Sequence, residues 1–417
     1  MPEAITLTRL PNGLTVHLKE IHTAPLISHW VWYRVGSRDE TPGITGISHW
    51  VEHMQFKGTP AFPPSVLDKA ISREGGMWNA FTYLDWTTYF ETMPADKIDL
   101  GLRLEADRMV NSLFKPEEVE SERTVIISER EGHENSPGWR LSEEVRALAF
   151  RVHPYHHMVI GDKPDLETIT RDQLYQHYRT YYVPNNAIVV AAGDFEPTSL
   201  LARIEELFGP LPAGAPVPTF QRVEPPQAGE RRVHLTGPDP TAFLQMAYHT
   251  PDVSHTDYVP LVMLDILLDG AAPQHRATRL YRALVQTELA TSVSSSQGSN
   301  LDPFLFYLSA TVREGCAIEA VEAALLQAVE RVQNDGVEER ELARGIKQMR
   351  AGAAYAVETV TGQASRLGTA ESLGDYRLFD TLVDRLQEVT PADVRRVAQT
   401  YLVAKNRTVG WYTPDKP

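Results

Sequence analysis

In the first half of the chain, some segments have hydrophobic residues at every second position, as strands do, and others have them at the longer spacing of helices. Residues 5–19 alternate on both sides of Pro11-Asn-Gly13, a pattern typical of a β-hairpin. Residues 26–35 form a second strand-like run, and residues 77–92 carry the aromatic and β-branched alternation of a strand pair. Further segments are predicted as a buried strand over 187–192 and as helices over 46–58, 64–73, 96–111, 116–133, 165–181 and 196–207.

The second half repeats this alternation after a segment rich in proline. Residues 211–230 contain five prolines and few long apolar runs, which is typical of an interdomain linker. A chain of 417 residues is long for one domain, so we predict domains at 1–210 and 231–417. The second half is predicted to contain strands near 231–248, 291–312 and 407–412, and helices over 258–268, 318–334, 338–357, 361–373 and 390–401.

The helix predicted between Gly46 and Gly58 has two chemically different faces. His49, Glu52 and His53 form the pattern H-x-x-E-H, and residues three and four apart share one face of a helix. The opposite face carries only apolar side chains, Ile47, Trp50, Val51 and Met54. The sequence therefore predicts a packed helix that presents two imidazoles and a carboxylate.

This arrangement suits zinc chemistry. Neutral imidazoles are good zinc ligands, and a catalytic zinc site keeps one position open for water. A carboxylate one turn away can accept a proton from that water, which is the role predicted for Glu52. The order H-x-x-E-H marks the inverzincins. The alternative is a helix with two incidental surface histidines, so a third ligand is needed to support the metal site.

A second helix supplies the candidate for that ligand. In residues 116–131 the most coherent apolar stripe consists of Val119, Glu122, Val125, Ile126 and Glu129. Two of its five members are therefore glutamates. A carboxylate on an apolar face is costly unless it is paired or binds a metal. We therefore predict Glu129 as the third metal ligand and Glu122 as the carboxylate that supports a ligand histidine.

These residues resemble, in order and spacing, the site of the pitrilysin, insulysin and mitochondrial processing peptidase family. The resemblance extends over essentially the whole chain, more weakly in the second half. Its further landmarks are Asn12-Gly13-Leu14, Gly75-Gly76, Asn79-Ala80, His153-Pro154-Tyr155, Tyr182-Val183-Pro184-Asn185-Asn186 and Ala192-Gly193-Asp194.

The resemblance implies a fold and an activity. The fold is α+β, with two homologous domains that each contain a mainly antiparallel sheet packed with helices and that together enclose a cleft. The activity is that of a zinc metalloendopeptidase with Zn²⁺ on His49, His53 and Glu129, and with Glu52 and Glu122 as catalytic glutamates. Short or unfolded polypeptides are the expected substrates.

The resemblance also implies a role for Asn79 and Ala80. In this family the corresponding strand lies at the edge of the cleft, and substrate pairs with it as an added β-strand. The alternative is that Asn79 only shapes a turn. We predict both residues as substrate-binding.

One departure from the family pattern predicts a partner. Active relatives carry an arginine and a tyrosine in a run resembling R-E-K-x-G-L-A-Y-S-V. The matching run of this chain, 284–293, has Leu284 in place of the arginine and Thr291 in place of the tyrosine. Some bacterial relatives divide the zinc site and the Arg/Tyr pair between two subunits. We therefore predict a hetero-oligomer with a homologous subunit that carries the pair; the alternative is a non-catalytic structural or peptide-binding subunit.

Composition narrows these possibilities only slightly. The formal net charge of -15 argues against a nucleic-acid-binding protein. The single cysteine, Cys316, excludes an intramolecular disulfide and a cysteine-based zinc site. The N-terminal residues lack the pattern of a signal peptide, and no apolar run is long enough to cross a bilayer. A cytoplasmic location is therefore expected, or a periplasmic one if a leader has been removed.

Other histidines and tryptophans have simpler interpretations. His153, His156 and His157 cluster in the sequence, and a second metal site is one interpretation. A polar loop or a structural His-Pro-Tyr turn is the interpretation that we favour. Trp78 and Trp86 flank the predicted strand pair and are expected in the core or in the wall of the cleft.

Overall fold

Two β-sheets, each covered by helices, form the framework of the chain in a computed structural model. The structure describes residues 5–218, 222–270 and 277–415, without the side chains of residues 65–68 and 270. Both sheets are mainly antiparallel and are packed with helices, so the predicted α+β fold is confirmed. Within the described residues, no helix is both long enough and apolar enough to cross a membrane.

The first sheet has six strands. They are β1 (Ile5–Arg9), β2 (Thr15–Glu20), β3 (Leu26–Tyr33), β4 (Met77–Thr82), β5 (Thr87–Pro94) and β6 (Ala187–Gly193). Their order is β1-β2-β6-β3-β5-β4, and all neighbours are antiparallel except β2 and β6. Strand β4 therefore lies at an edge, hydrogen-bonded only to β5 among the described strands.

The second sheet repeats the order of five of these strands. It contains β7 (Arg231–Gly237), β8 (Phe243–Thr250), β9 (Ala290–Gln297), β10 (Phe304–Val312) and β11 (Arg407–Pro414). The order β7-β11-β8-β10-β9 has its one parallel pair, β7 and β11, where the first sheet has β2 and β6. Shared order and shared strand directions agree with the predicted duplication.

The described residues form fourteen α-helices. They are α1 (Ile47–Met54), α2 (Pro64–Arg73), α3 (Ile98–Asn111), α4 (Pro116–Glu134), α5 (Pro137–Ala149), α6 (Lys163–Thr168), α7 (Arg171–Tyr181), α8 (Pro197–Phe208), α9 (Tyr258–Asp265), α10 (Ile318–Asp335), α11 (Glu339–Ala356), α12 (Val360–Ser372), α13 (Leu378–Gln387) and α14 (Pro391–Tyr401).

Each half of the chain contributes one segment to the compact unit built mainly by the other half. Residues 131–156 belong to the unit of the second sheet, and residues 356–378 belong to the unit of the first. Helix α5 packs on β7, β8 and β11, whereas α12 packs on β3 and β6. Glycine permits the close approach, because a Cβ at Gly410 would collide with Leu141 and Val145 and one at Gly368 with the Trp32 indole.

The predicted linear domains, 1–210 and 231–417, do not include this exchange, and as a division of the chain they remain a prediction. The boundary between the compact units at 221/222 falls inside the predicted linker. The described parts of that segment, 211–218 and 222–230, contain no helix or strand, and residues 219–221 lie outside the described residues.

Local structure repeats in the two units together with the strand order. Thr170 and Thr390 cap α7 and α14, and each hydroxyl accepts a hydrogen bond from the backbone three residues on. After each helix an asparagine side chain, Asn186 or Asn406, donates to the carbonyl five residues before it. This link turns the chain from the helix into the central strand.

Three helix predictions need correction. The single helix expected over 165–181 is two helices, because Thr170 forms a capping box with Gln173 and starts α7 afresh. Helices α5 and α13 were not predicted at all. For α5 the signals are Ser136 at the N-cap, Pro137 in the first turn and the spacing of Leu141 and Val145.

A buried histidine couples the stability of the first unit to pH. His177 on α7 contacts the Ser48 hydroxyl of α1 at 3.2 Å, and burial lowers its pKa to about 3. Between that value and the ordinary 6.5, the unfolded chain takes up a proton that the folded chain does not. Stability contributed by neutral His177 is therefore complete above pH 6.5 and is lost as the pH falls toward 3.

We predict that His177→Gln flattens the pH dependence of stability. The free energy of unfolding of the natural chain should fall more steeply below pH 6.5 than that of the variant, by about 1.4 kcal/mol per pH unit. Urea unfolding at several pH values from neutral to mildly acidic measures both slopes. The matched control is His255→Gln, which removes a histidine with a side chain 45% exposed. Equal slopes for natural chain and His177→Gln would contradict the prediction.

Candidate metal centre

Helix α1 divides its side chains as the sequence predicts. Its four apolar residues, Ile47, Trp50, Val51 and Met54, are at most 1% exposed. His49 and His53 lie on the other side, 14% and 21% exposed, with ring centroids 4.5 Å apart. The helix is thus anchored by its apolar face while both imidazoles remain accessible.

A buried carboxylate fixes the start of α1. Glu40, 1% exposed, accepts hydrogen bonds from the backbone N–H groups of Gly46 at 2.7 Å and Ser48 at 2.8 Å. Its other contact is the His157 Nε2 atom at 2.8 Å. Gly46 has a φ of +85°, and a Cβ there would collide with the carbonyl of Ile160. These contacts set the position from which His49 and His53 project.

Helix α4 brings the third predicted ligand to the two histidines. The Glu129 Oε2 atom lies 3.9 Å from His49 Nε2 and 3.7 Å from His53 Nε2. One ligand atom of each residue lies within 4.8 Å of the others, and no other group of three potential ligands of this kind occurs in the part of the chain that the structure describes. The three residues are therefore placed together although α1 and α4 are far apart in sequence.

The donor set fits a zinc ion. Zinc in proteins takes imidazole nitrogen and carboxylate oxygen at roughly 2.0–2.2 Å, so neighbouring ligand atoms in a tetrahedral site lie roughly 3.4 Å apart. The observed 3.7 and 3.9 Å are a few tenths of an ångström longer. Two imidazoles and one carboxylate leave a fourth position open, as catalytic zinc sites do.

The apolar stripe predicted on α4 is only partly buried. Val119, Glu122 and Ile126 of the predicted stripe are buried, but Val125 is 47% exposed and the Glu129 side chain 39% exposed. Helix α4 buries a narrower face than the sequence pattern suggests. Glu129 lies at the border of that face, where a carboxylate stays hydrated and can still reach the histidines.

Glu122 contacts a predicted ligand, as expected. Its Oε1 atom is 2.7 Å from His53 Nδ1, and its Oε2 atom pairs with Lys57. Burial opposes ionisation of Glu122, but the hydrogen bonds from His53 and Lys57 prevail and lower its pKa. Burial likewise opposes the charged form of His53, yet the bond to Glu122 and nearby carboxylates raise its pKa. This contact leaves His53 Nε2 facing Glu129.

Glu52 lies on the same side of α1 and is 8% exposed. Burial raises its pKa, and a hydrogen bond donated by the Thr82 hydroxyl at 2.6 Å works in the opposite direction. The threonine belongs to the edge strand β4 and thereby joins that strand to the helix. Because burial raises its pKa, Glu52 is a stronger base than an exposed glutamate.

Asn79 and Ala80 lie on β4, at the free edge of the first sheet. Asn79 is exposed, and its Oδ1 atom accepts a hydrogen bond from the Ala80 N–H at 2.9 Å; Ala80 is 6% exposed. The turn alternative for Asn79 does not hold, because the residue is inside the strand. Two large apolar side chains nearby, Met77 and Phe81, are 60% and 47% exposed.

The run 284–293 contains a residue with a positive φ. Glu288 has a φ of +62° at the position where the pattern has its glycine, which agrees with the register. Leu284, in the arginine position, is fully buried, and Thr291 lies exposed on β9. Neither residue can act as the long donor that the pattern requires.

The histidine cluster of residues 153–157 has structural contacts. His153 Nδ1 accepts a hydrogen bond from the Tyr155 N–H at 3.1 Å, and its Nε2 atom is 3.2 Å from Asp302. His156 Nδ1 lies 3.1 Å from the His153 carbonyl, and His157 supports Glu40. The favoured interpretation as a structural turn agrees with these contacts.

The sequence did not identify Glu40, Lys57, Thr82 and His157 as parts of the site. Lys57 could have been found, because it lies four residues after His53 on the extension of the same helix. Glu40 and His157 are 117 residues apart in sequence, so no local pattern links them.

Comparisons with known proteins show similarity to peptidases. Residues 15–163 match the family model described as insulinase (peptidase family M16), and residues 168–349 match the one described as the peptidase M16 inactive domain. An uncharacterized zinc protease of Streptomyces coelicolor is 28% identical, over 95% of this chain and 86% of the relative. Subunit beta of the mitochondrial-processing peptidase of Blastocladiella emersonii is 26% identical, over 97% of this chain and 87% of the relative.

A solved structure is similar throughout. The crystal structure of a protease from Helicobacter pylori superimposes with a TM-score of 0.94 at 27% identity, covering 99% of this chain and 100% of that one. The similarity thus includes both sheets and is not confined to the unit with the histidines.

The choice of Glu129 over a neighbouring acid is testable. Glu129→Ala should lose most of its bound zinc, because one of three ligands is gone, whereas Glu131→Ala should keep it. Elemental analysis of both purified variants after dialysis against a weak chelator measures the metal. Equal zinc content in the two variants would show that Glu129 is not a ligand.

Proposed function

Because the chain belongs to the insulinase family of peptidases (peptidase family M16), we propose that it is a zinc-dependent endopeptidase of short or unfolded polypeptides. The observation that carries the proposal is the grouping of His49, His53 and Glu129, with the Glu52 carboxylate on the same helix. The relatives named zinc proteases support the choice of metal.

Three side chains would hold the metal. A zinc ion bound by His49, His53 and Glu129 supplies Lewis acidity, which lowers the pKa of a water molecule and polarises a carbonyl group. Glu122 and Lys57 keep the His53 ring oriented, because the carboxylate that accepts from Nδ1 is itself paired.

Glu52 is proposed as the general base. It takes a proton from the attacking water and delivers it to the leaving amine, so one carboxylate serves both steps. The low exposure of Glu52 keeps bulk water from competing for that proton, and Thr82 fixes one carboxylate oxygen so that the other can face the substrate.

Strand β4 supports an extended substrate. An edge strand offers N–H and C=O groups that a peptide can pair with, and side chains at Asn79 and Ala80 would then determine how closely it lies. Pairing through the main chain needs an extended partner, so a compact folded protein cannot use this edge.

A partner subunit completes the proposal. Leu284 and Thr291 cannot provide the arginine and tyrosine that help to bind the substrate carbonyl in relatives. We propose a hetero-oligomer in which a homologous subunit supplies them. Support comes from a relative that is named as a subunit, the beta subunit of a mitochondrial-processing peptidase.

The alternative, a non-catalytic structural or peptide-binding subunit, has one observation in its favour. The second half of the chain matches a model described as an inactive domain and carries neither member of the pair. Intact His49, Glu52, His53 and Glu129 favour the enzyme, since a binding subunit has no need of a general base.

Replacing the base tests catalysis directly. Glu52→Gln should retain zinc and lose peptidase activity by about a hundredfold or more, because the amide cannot accept the proton. The measurement pairs elemental analysis with cleavage of a fluorogenic peptide. Glu74→Gln, an acid beyond α2 outside the site, is the matched control and should retain both properties. If Glu52→Gln cleaved the peptide at an unchanged rate, Glu52 would not be the general base.

Titration with a partner tests the missing pair. Peptidase activity of this chain alone should be low and should rise by about a hundredfold or more on adding a homologous subunit with the Arg/Tyr pair, which supplies the absent carbonyl donors. A partner whose arginine and tyrosine are replaced by Leu and Thr should bind without activating. Full activity of the isolated chain, unchanged by the partner, would contradict this prediction.

A further inference from the structure

A pocket in the second unit carries charge opposite to that of the chain. It has a volume of about 830 Å³ and lies among α10, the first turns of α11 and the turn over 281–285. The chain has 55 acidic and 40 basic residues, but the pocket is lined by five arginines and two acids: Arg279, Arg282, Arg331, Arg340, Arg344, Glu338 and Glu341. The local balance is therefore strongly positive.

Both acids already have partners. Glu341 pairs with Arg279, one N–H···O distance being 2.6 Å, and Glu338 pairs with Arg340. Burial opposes ionisation of Glu341, but the hydrogen bond from Arg279 prevails and holds its pKa low, so this carboxylate stays charged. Among the described residues, the other three guanidinium groups in the pocket form no ion pair, although the charge of Arg344 also helps to lower the pKa of Glu341.

The three remaining arginines are Arg282, Arg331 and Arg344. No carboxylate among the described residues lies within ion-pair distance of any of them. Arg331 contacts the Gln327 side chain at 3.2 Å, and Arg344 contacts the Ala277 carbonyl at 3.4 Å; both partners are neutral. Like charges that share a concave surface repel one another, and an anion relieves that repulsion.

The lining indicates what kind of anion fits. A guanidinium group forms paired hydrogen bonds to a carboxylate or a phosphate. None of the described lining residues is aromatic, so a nucleobase has no ring to stack on. Between the arginines lie four small or apolar side chains, Ala283, Leu289, Ala324 and Ala328. They suit the methylene groups of glutamate and a peptide backbone, whereas a polyphosphate has no apolar surface.

We propose that this pocket binds an acidic segment of a polypeptide, with side-chain carboxylates on Arg282, Arg331 and Arg344. Such a site would give an acidic protein a local means of attracting an acidic partner that its overall charge repels. The proposal concerns the second unit alone and does not depend on peptidase activity.

Binding of labelled octaglutamate to the full chain tests the proposal by fluorescence anisotropy. The triple variant Arg282→Gln, Arg331→Gln, Arg344→Gln should weaken binding by about tenfold or more, and higher salt should weaken binding to the natural chain. Arg282→Gln alone should weaken it about threefold. The Arg282 side chain is exposed and takes part in none of the described hydrogen bonds, so the single variant addresses the pocket even if the triple variant folds poorly.

The matched control has the same change in charge elsewhere. Arg73→Gln, Arg222→Gln, Arg350→Gln replaces three exposed arginines outside the pocket and should change affinity by less than about twofold. Equal weakening by both triple variants would show that only net charge matters and would overturn the proposal. Arginine-dependent binding of tripolyphosphate without binding of octaglutamate would assign the pocket to phosphate and overturn it as well.

Discussion

The hydrogen bond between His53 on α1 and Glu122 on α4, 2.7 Å long, is the contact on which the candidate centre depends. It joins the two helices that carry the three potential ligands and fixes the ring so that Nε2 faces Glu129. A buried carboxylate against an imidazole is costly unless both are held, and here Lys57 takes the remaining oxygen of Glu122. The buried apolar face of α1 and the hydrogen bonds from its first turn to Glu40 also hold the helix in the orientation that this contact needs.

Local periodicity was sufficient for the parts of the site that lie on one helix. The two faces of α1 follow from a 3.6-residue period, and the structure has them as predicted. The Glu129 side chain is 39% exposed although it continues an apolar stripe, because such a stripe predicts which face of a helix turns inward but not how wide the buried face is. The contact between Glu40 and His157 could not be predicted, because tertiary packing alone brings together residues 117 apart.

The exchanged helices show the same limit at the level of the fold. Most strand and helix positions in both halves could be predicted from the sequence, but helix α5 was not predicted. The sequence also does not indicate that α5 packs on the sheet of the second half. Which sheet a helix covers depends on complementary surfaces, such as Gly410 against Leu141 and Val145, that lie far apart in the chain. An amphipathic pattern indicates that one face of a helix packs against another surface, but it does not identify that surface.

Two units with the same strand order differ in what they carry, so the fold itself does not determine the chemistry. The first unit carries the candidate centre, with two histidines and the glutamates Glu52, Glu122 and Glu129. The second has a positive φ at Glu288, where the family pattern has glycine, and the run around it has Leu284 and Thr291 in place of long polar side chains. A glutamate in a conformation that favours glycine is tolerated because the surrounding backbone fixes the turn. Leu284 is fully buried and Thr291 is too short to replace a tyrosine, so neither can donate a hydrogen bond to a substrate carbonyl near the histidines. The proposed function therefore needs these donors from a homologous subunit.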